Sequence, residues 1–314
     1  MKKIAFVSAA DATYYPMLRE WIHSIRRFPE SKGTTICIMD VGLTPEQVTK
    51  LQSIDCLIYK PDWPCDIPQH QIRGREYLKG CVCRPFINQY FPDFDLYIWM
   101  DPDTWIQKWS AIDMFIQGAN QNAITLSAQS DRSYPRQIRI KWLGNIPLKL
   151  RGFYFSNAKA AYGSKTAKEL YAYSVLLAGM FSLKGDAPHW GRWQELMIEK
   201  LKAAKGKVFT SDQLTLGKLC YLEGYKKIIL PAYMHWLCAF KPHWSKQTNM
   251  FVEPYLPHEE IGVLHISGWD DMRTDRGVMT DFETLDGESI SYTYRYPYFN
   301  GETEEEINAL HQAA

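Results

Sequence analysis

The chain has 314 residues, with 36 lysines and arginines against 35 aspartates and glutamates, so its formal net charge is +1. This balance excludes a protein that coats a polyanion, and no nucleic-acid partner is expected. Hydrophobic residues make up 46% and charged residues 23%, which excludes intrinsic disorder and collagen-like structure. The 11 Trp, 19 Tyr and 14 Phe are many for an ordinary enzyme core and favour surfaces that hold planar or sugar-like ligands.

The cysteines and the hydrophobic segments indicate where in the cell the protein is expected to lie. The seven cysteines are scattered, and no pair has the spacing of a disulfide framework or of a zinc site. The apolar run Ile4–Ala10 superficially resembles a signal peptide, but it is short enough to be a first buried strand. No stretch reaches the roughly 20 apolar residues that span a bilayer. We therefore expect a cytoplasmic protein without a transmembrane segment, either free or peripheral to a membrane.

The first 60 residues alternate between strand and helix patterns. Strands are predicted at Ile4–Ser8, Thr34–Asp40 and Asp55–Lys60. Between them lie an amphipathic helix at Tyr15–Phe28 and a second helix that begins at Pro45 with Thr44 as its N-cap. This order predicts an α/β fold with a mainly parallel sheet covered by helices on both faces. Ligands of such sheets bind at the carboxyl ends of the strands.

The rest of the chain continues the pattern. The predicted elements are a loop at Pro61–Gly74, a helix at Lys79–Tyr90, a buried strand at Leu96–Met100, an apolar run at Leu176–Leu183, a helix at Trp193–Ala204, a helix capped by Thr210 or Ser211 and extending to Leu222, and a last short strand at Val263–Ile266. After Gly277 the composition changes: four tyrosines alternate from Tyr292 to Tyr298, and an acidic helix is predicted at Glu302–Gln312. We therefore divide the chain into a main domain, 1–275, and a C-terminal segment, 276–314.

The most specific local signal is Asp101-Pro102-Asp103, directly after the buried strand. Two carboxylates one residue apart on an extended chain project to the same side. A divalent cation with phosphate oxygens is the usual way to hold such a pair near a dry strand end. In loops this motif is often merely solvated, but the preceding strand places it where parallel sheets bind ligands.

These segments together resemble the GT-A glycosyltransferases, most closely the retaining glycogenin and lipopolysaccharide-galactosyltransferase group, glycosyltransferase family 8. The matching segments, in order, are Ile4–Asp11 with Tyr14 (first strand and uracil-binding loop), Lys79–Asp103 (helix with a basic residue, strand and Asp-x-Asp), Leu177–Met180, Ser211–Gln213 and Leu264–Gly268. The resemblance implies a GT-A, Rossmann-like fold with a mixed, mainly parallel sheet and a single nucleotide-sugar-binding domain.

The resemblance also implies a ligand set. Asp101, Asp103 and His265 are the expected metal ligands, for Mn²⁺ or Mg²⁺, with the imidazole favouring Mn²⁺. The expected donor-binding residues are Ser8, Ala9, Asp11, Tyr14, Arg84, Asp101, Pro102, Asp103, Gly179, Gly268 and Arg273. Arg84, Asp212 and Gln213 are the expected catalytic residues.

Each of these residues has a structural alternative. His265 is otherwise a core histidine, Arg84 a helix-surface cation, and Asp212 with Gln213 an N-cap pair. The chain also departs from the family pattern: an acid follows Gly268 where a diphosphate-binding Lys is expected. Arg273 or Arg276 is the candidate replacement for that cation. Ala178 stands where a polar residue normally contacts the sugar.

The implied activity is metal-dependent transfer of a sugar from a nucleoside diphosphate sugar, a UDP-sugar, to a hydroxyl of a glycan, glycolipid or protein, with retention. The acceptor face is either the aromatic set around Trp190, Trp193, 235–244 and 292–298 or lies elsewhere, with those aromatics in the core. One alternative is a non-catalytic nucleotide- or carbohydrate-binding protein of the same fold. The other is a haloacid-dehalogenase-type phosphohydrolase, in which the first Asp of Asp-x-Asp is a nucleophile; Trp105 stands where that group has Thr or Val.

Overall fold

The structure, a computed structural model, describes residues 2–134 and 139–298. Its strands are β1 Ile4–Ala10, β2 Thr35–Asp40, β3 Leu57–Tyr59, β4 Leu96–Met100, β5 Thr104–Ile106, β6 Ile124–Ala128, β7 Arg139–Leu143, β8 Ile146–Arg151, β9 Leu176–Lys184, β10 Lys227–Leu230, β11 Trp236–Leu237, β12 His243–Ser245, β13 Met250–Val252, β14 Val263–His265, β15 Thr280–Glu283 and β16 Ser289–Tyr292. Its helices are α1 Tyr15–Arg26, α2 Pro45–Ser53, α3 Gln69–Ile72, α4 Lys79–Val82, α5 Ile87–Tyr90, α6 Ser110–Asn120, α7 Phe153–Tyr162, α8 Ser164–Leu170, α9 His189–Lys202, α10 Ser211–Gly217 and α11 Asp270–Thr274.

The central sheet has seven strands in the order β10-β6-β9-β4-β1-β2-β3. Strands β3, β2, β1 and β4 are mutually parallel, β10 is parallel to β6, and only β9 runs antiparallel to its neighbours. The predicted α/β fold with a mixed, mainly parallel sheet is therefore confirmed. The chain order reverses between β1 and β4, and such a switch point is where open α/β sheets bind ligands.

Helices cover both faces of the sheet because its central strands are apolar on both sides. In β1, Val7 packs in one layer with Trp193 of α9, whereas the adjacent Phe6 packs in the opposite layer with Trp21 of α1 and Phe115 of α6. Side chains alternate along a strand, so a strand that is covered on both faces appears in the sequence as a continuous apolar run.

Two predicted helices illustrate how local chemistry decides helix boundaries. The start at Thr44 is confirmed: its Oγ1 accepts the Gln47 N–H at 3.2 Å, and Gln47 Oε1 accepts the Thr44 N–H at 3.0 Å. The single helix predicted at Lys79–Tyr90 is wrong. A 3₁₀ turn at Arg84–Phe86 separates α4 from α5, because Pro85 has no N–H and cannot continue the α-helical hydrogen bonding.

The C-terminal segment departs from the sequence prediction. Val263–Ile266 is not the last strand, since β15 and β16 form an antiparallel hairpin whose turn contains Gly287 at φ +82°. Tyr294 and Tyr296 are fully buried in a core that they share with Trp105, next to β14. The predicted acidic helix at Glu302–Gln312 lies outside the described residues, and the predicted division at residue 275 stays a prediction.

Among residues 2–134 and 139–298, no helix combines the length and the apolar character needed to cross a bilayer.

Candidate active site

The two motif aspartates and His265 meet at the carboxyl end of β4. Asp101 follows β4 directly, and Asp103 precedes β5. The antiparallel pairing of β5 with β14 places His265 opposite Thr104. As a result, His265 Nε2 lies 3.4 Å from Asp103 Oδ1 and 3.9 Å from Asp101 Oδ2. The three predicted metal ligands therefore lie together in the fold.

The geometry and chemistry of this group fit a divalent cation. One possible ligand atom from each side chain lies within 4.8 Å of the others. Two atoms that bind one small cation at about 2.1 Å lie at most about 4.2 Å apart, and the distances from His265 Nε2 to the two aspartate oxygens, 3.4 and 3.9 Å, fall within that limit. Two carboxylates with one imidazole suit Mn²⁺ better than an all-oxygen set would.

Arg84 is a buried bridge behind the aspartates. Its Nη2 donates to Asp101 Oδ1 at 2.6 Å, and its Nη1 donates to Asp212 Oδ2 at 2.8 Å and to the Ala178 carbonyl at 2.8 Å. Its Nε donates to the Gly80 carbonyl at 3.0 Å. Four of the five N–H groups of the guanidinium are thus satisfied by the protein, so the arginine fixes both carboxylates in place.

Trp99, which was not among the predicted site residues, supports the same aspartate. Its indole N–H donates to Asp101 Oδ1 at 2.9 Å, and its ring lies 4.8 Å from the Arg84 guanidinium. Trp99 precedes Asp101 by two residues, so both side chains point to one side of the extended chain. That spacing was a usable signal in the sequence.

Gly179 leaves room for the ligand group. It lies near the start of β9, and its carbonyl accepts the Asp101 N–H at 2.8 Å. A Cβ at this position would lie 2.6 Å from His265 Cε1 and 3.0 Å from Asp101 Oδ2. Glycine is therefore required by the close approach of the ligands. Its predicted contact with the sugar stays a prediction.

His265 is oriented by His235, which belongs to a segment, 235–244, that was predicted to lie either on an acceptor face or in the core. His235 is fully buried; its Nε2 lies 3.1 Å from His265 Nδ1, and its Nδ1 lies 2.9 Å from Ser127 Oγ. If Nε2 of His265 faces a metal, its Nδ1–H donates to His235 Nε2, and the Nδ1–H of His235 donates to Ser127. Hydrogen bonds of this kind fix the tautomer of a metal-binding histidine.

The pKa shifts of Asp103, His265 and His235 agree with this arrangement. Burial alone would raise the pKa of Asp103, but His265 and Arg273 outweigh it and hold the pKa at about 2. Burial opposes a charge on His265, yet Asp103 and Asp101 raise its pKa. Burial and the neighbouring His265 keep the pKa of His235 well below its usual range. His235 therefore stays neutral and keeps a nitrogen lone pair for His265.

A small cleft adjoins the ligand group. It has a volume of about 130 Å³ and is lined by Thr13, Tyr14, Asp270, Arg273 and Thr274. Arg273 Nε lies 3.0 Å from Asp103 Oδ2. Of the two arginines that could replace the missing lysine, Arg273 is thus at the site. The other, Arg276, pairs with Glu20 of α1 at 2.6 Å.

The other residues that were predicted to bind the donor or to act in catalysis differ in how deeply they are buried. Asp11 lies just beyond β1, and its Oδ1 accepts the N–H groups of Thr13 and Tyr14, each at 3.0 Å. Pro102 is half-buried between the aspartates, and Gln213 is half-buried in the first turn of α10. Ser8 and Ala9 are buried inside β1, so their side chains are covered by protein, and Gly268 is exposed at φ +80° beyond β14.

The aromatic residues considered for an acceptor face are mostly core. Trp190 and Trp193 are buried beside Phe181, and Trp236 is fully buried. A buried Trp removes some 150–250 Å² from water, so these side chains stabilise the core and are not available at the surface. These residues do not form an acceptor surface.

Comparison with known proteins identifies the fold. No protein-family model matches the chain, and no curated protein matches it significantly. Among solved structures, a galactosyltransferase, LgtC, in complex with donor and acceptor sugar analogues superposes with a TM-score of 0.53 at 12% identity over 98% of this chain and 95% of that one. The bifunctional glycosyltransferase WbbM matches with a TM-score of 0.51 at 13% identity over 85% of this chain and 46% of that one. The chain therefore has the GT-A fold and resembles the LgtC group, as its sequence motifs predicted.

Proposed function

We propose that the protein is a metal-dependent glycosyltransferase that moves a sugar from a UDP-sugar to a hydroxyl of a glycan, glycolipid or protein, with retention of anomeric configuration. The observation that carries the proposal is the grouping of Asp101, Asp103 and His265 at the carboxyl end of β4, beside the cleft of Tyr14 and Arg273. The glycosyltransferases of the same fold support it.

The charge of the site favours a diphosphate. The three carboxylates of Asp101, Asp103 and Asp212 and the two guanidinium groups of Arg84 and Arg273 sum to −1 when all are ionised. A divalent cation brings the sum to +1, which attracts an anion in a partly buried site. When bound, Mn²⁺ or Mg²⁺ would stabilise the negative charge that develops on the departing diphosphate.

The protein's own residues would position the donor. Asp101, Asp103 and His265 would hold the cation, and Arg273 would face the diphosphate from the cleft. Tyr14 would contact the base or ribose; its pKa is raised by burial, so it stays a neutral hydrogen-bonding group. Asp11 would orient the turn that carries Tyr14.

Asp212, Gln213 and Arg84 would support the transfer step. Asp212 and Gln213 would lie by the reacting carbon or the acceptor. Burial raises the pKa of Asp212, and Arg84 opposes this. Arg84 would act by holding the carboxylates of Asp101 and Asp212 in fixed positions. Ser8, Ala9, Pro102, Gly179 and Gly268 would contribute backbone shape around the donor.

A binding and turnover experiment tests the proposal. With ligand at about 100 times its Kd, UDP or a UDP-sugar should raise Tm by about 4 °C in the presence of Mn²⁺. Asp103→Asn should abolish the shift, whereas Asp113→Asn, an exposed aspartate on α6, should not change it. Equal shifts with and without metal would remove the cation from the mechanism.

Measurement of UDP release distinguishes a glycosyltransferase from a non-catalytic binding protein. Release of UDP from one member of a UDP-sugar panel, with Mn²⁺ and an acceptor, is the expected result. Metal-dependent UDP binding without any UDP release from the whole panel would favour a non-catalytic binding protein instead. Phosphate release from simple phosphomonoesters would favour a phosphohydrolase.

A further inference from the structure

A lysine is buried on the helix that packs against α10. Lys200 lies on the buried face of α9 with Leu196, Met197 and Leu201, and it is only 1% exposed. Burial lowers the pKa of Lys200 to about 8, and no described carboxylate lies beside it to oppose the shift. The side chain is therefore still charged at neutral pH. A buried ammonium group without an acidic partner disfavours folding, so the fold keeps a charge that lowers its own stability.

The ammonium group of Lys200 binds one carbonyl of the turn that precedes α10. Its Nζ donates to the Lys207 carbonyl at 2.9 Å. The same carbonyl accepts the hydroxyl groups of Thr210 and Ser211, each at 3.4 Å. The Ser211 N–H closes the turn by donating to the Val208 carbonyl at 3.0 Å. Because Nζ is the closest of the three donors and carries a charge, its hydrogen bond is the strongest contact of this carbonyl.

The turn 207–211 leads directly into Asp212 and Gln213. Asp212 lies in the first turn of α10 and is buried. Its Oδ2 accepts Nη1 of Arg84 at 2.8 Å, and its Oδ1 accepts the N–H of Gln213 at 2.8 Å. A shift of the Lys207 carbonyl would move the start of α10, and with it the carboxylate that contacts Arg84.

A second side chain of α9 holds the same helix start. The indole N–H of Trp193 donates to Thr215 Oγ1 at 2.9 Å. That hydroxyl lies 2.8 Å from the Ser211 carbonyl and 3.1 Å from the Asp212 carbonyl. Trp193 and Lys200 are seven residues apart, so they lie on one face of α9. That face therefore holds the start of α10 at two points, one before Asp212 in the chain and one after it.

We propose that Lys200 is a positioning residue, whose ammonium group fixes the turn 207–211 and thereby the location of Asp212 and Gln213 for the transfer step. A charged donor holds the Lys207 carbonyl more firmly than the two hydroxyl groups alone, which gives the buried charge a role that an apolar side chain could not fill. Control of the turn by Lys200 stands on the hydrogen bonds alone. Its consequence for sugar transfer rests on the proposed function.

Hydrogen–deuterium exchange of the full chain tests control of the turn without metal or nucleotide. Lys200→Met keeps the length of the side chain and removes its charge. The amides of Ser211 and Leu214, which donate within and just after the turn, should then exchange at least about tenfold faster, because a hydrogen bond from a charged donor is lost. The matched control is Lys202→Met, an exposed lysine on the same helix, which should exchange as the unchanged protein does.

Stability and kinetics together distinguish positioning from a purely structural role. The Tm of Lys200→Met should be at least as high as that of the unchanged protein, because the substitution removes an unpaired buried charge. In UDP-sugar turnover, its kcat should fall about 10- to 100-fold, since small displacements of reacting groups are costly. KM for the UDP-sugar should be unchanged, because the proposed metal and diphosphate contacts come from other elements. Lys202→Met should change neither constant.

Three results would overturn the proposal. Unchanged exchange of the Ser211 and Leu214 amides in Lys200→Met would show that Lys200 does not hold the turn. Faster exchange with unchanged kcat would show that the turn does not control the reaction. A lower Tm, or a variant that does not fold, would assign Lys200 to the stability of the core. If the unchanged protein releases no UDP from any UDP-sugar, the proposed function fails, and the exchange experiment still decides whether Lys200 controls the turn.

Discussion

Gly179→Ala is expected to disable the metal site through a single methyl group. The added Cβ would lie 2.6 Å from His265 Cε1, whereas ordinary contacts begin near 3.4 Å, so the imidazole would have to move by about 0.8 Å. Metal–ligand distances tolerate only about 0.2 Å. Movement of the ring would also disturb its contact with His235, whose Nε2 lies 3.1 Å from His265 Nδ1.

The magnitude follows from this geometry. Displacing an oriented ligand lowers metal affinity about 10- to 100-fold, which is about 1.4–2.7 kcal/mol. Backbone strain does not contribute, because Gly179 lies within β9 and has no positive φ. Without the overlap, a Gly→Ala change would instead stabilise the protein by about 0.4–1 kcal/mol.

Mn²⁺ titration followed by electron paramagnetic resonance measures the affinity directly, without nucleotide. Gly191→Ala is the matched control, since a Cβ there meets nothing within 4 Å on α9, and its Kd for Mn²⁺ should be unchanged. In a Gly179→Ala, His265→Ala variant the steric cost should be partly relieved while Mn²⁺ binding stays weak. An unchanged Kd in Gly179→Ala would refute the assignment of Asp101 and His265 to one ion.

Three other changes have defined outcomes. Arg84→Ala should cost about 3–5 kcal/mol in urea denaturation because it leaves buried carboxylates unpaired, whereas Lys108→Ala, which breaks the exposed pair with Glu260, should cost under about 1 kcal/mol. His235→Phe should weaken Mn²⁺ binding about 10- to 100-fold, because the ring remains but no longer accepts the His265 N–H; an unchanged Kd would show that tautomer control is unimportant. Burial and Arg27 lower the pKa of His23 to about 4, so the unfolded state binds the proton first, and stability should fall by about 3 kcal/mol as the pH drops from 6.5 to 4. A His23→Gln variant should lack that slope.

The sequence was sufficient to predict where Asp101 and Asp103 lie in the fold, because the strand and the motif each had a periodic or spacing signal. The run Leu96–Met100 is apolar on both faces, so it had to be a central strand, and Asp101 and Asp103 had to lie at its carboxyl end. His265 was predicted as a third member of this group only because of the family resemblance. No local pattern predicts that β14 pairs with β5, which is the tertiary contact that places it there.

The features that were predicted wrongly or missed in the sequence also have physical reasons. Trp190 and Trp193 have the composition of a sugar-binding surface, but a core needs the same side chains, and composition cannot separate the two uses. His235 carried no signal, because its role comes from a hydrogen bond to a residue 30 positions away. The strand pair β15–β16 was missed although Asp286-Gly287 is a hairpin-turn signal.

In the proposed function, Arg273 would take the place of the lysine that the family pattern leads us to expect. The chain has the acids Asp270 and Asp271 in the segment where that cation is expected, and Arg273 follows within one turn on α11. Residues three apart lie on the same side of a helix, and Arg273 Nη1 indeed lies 2.9 Å from Asp270 Oδ1. Its side chain is 20% exposed, against 8% for Arg84. Because Arg84 is already bound to the two carboxylates, Arg273 would be the cation that meets the diphosphate of the proposed donor. The positive charge would then lie within one helical turn of the position where the family has its lysine, and a comparison by sequence position would register this as a loss.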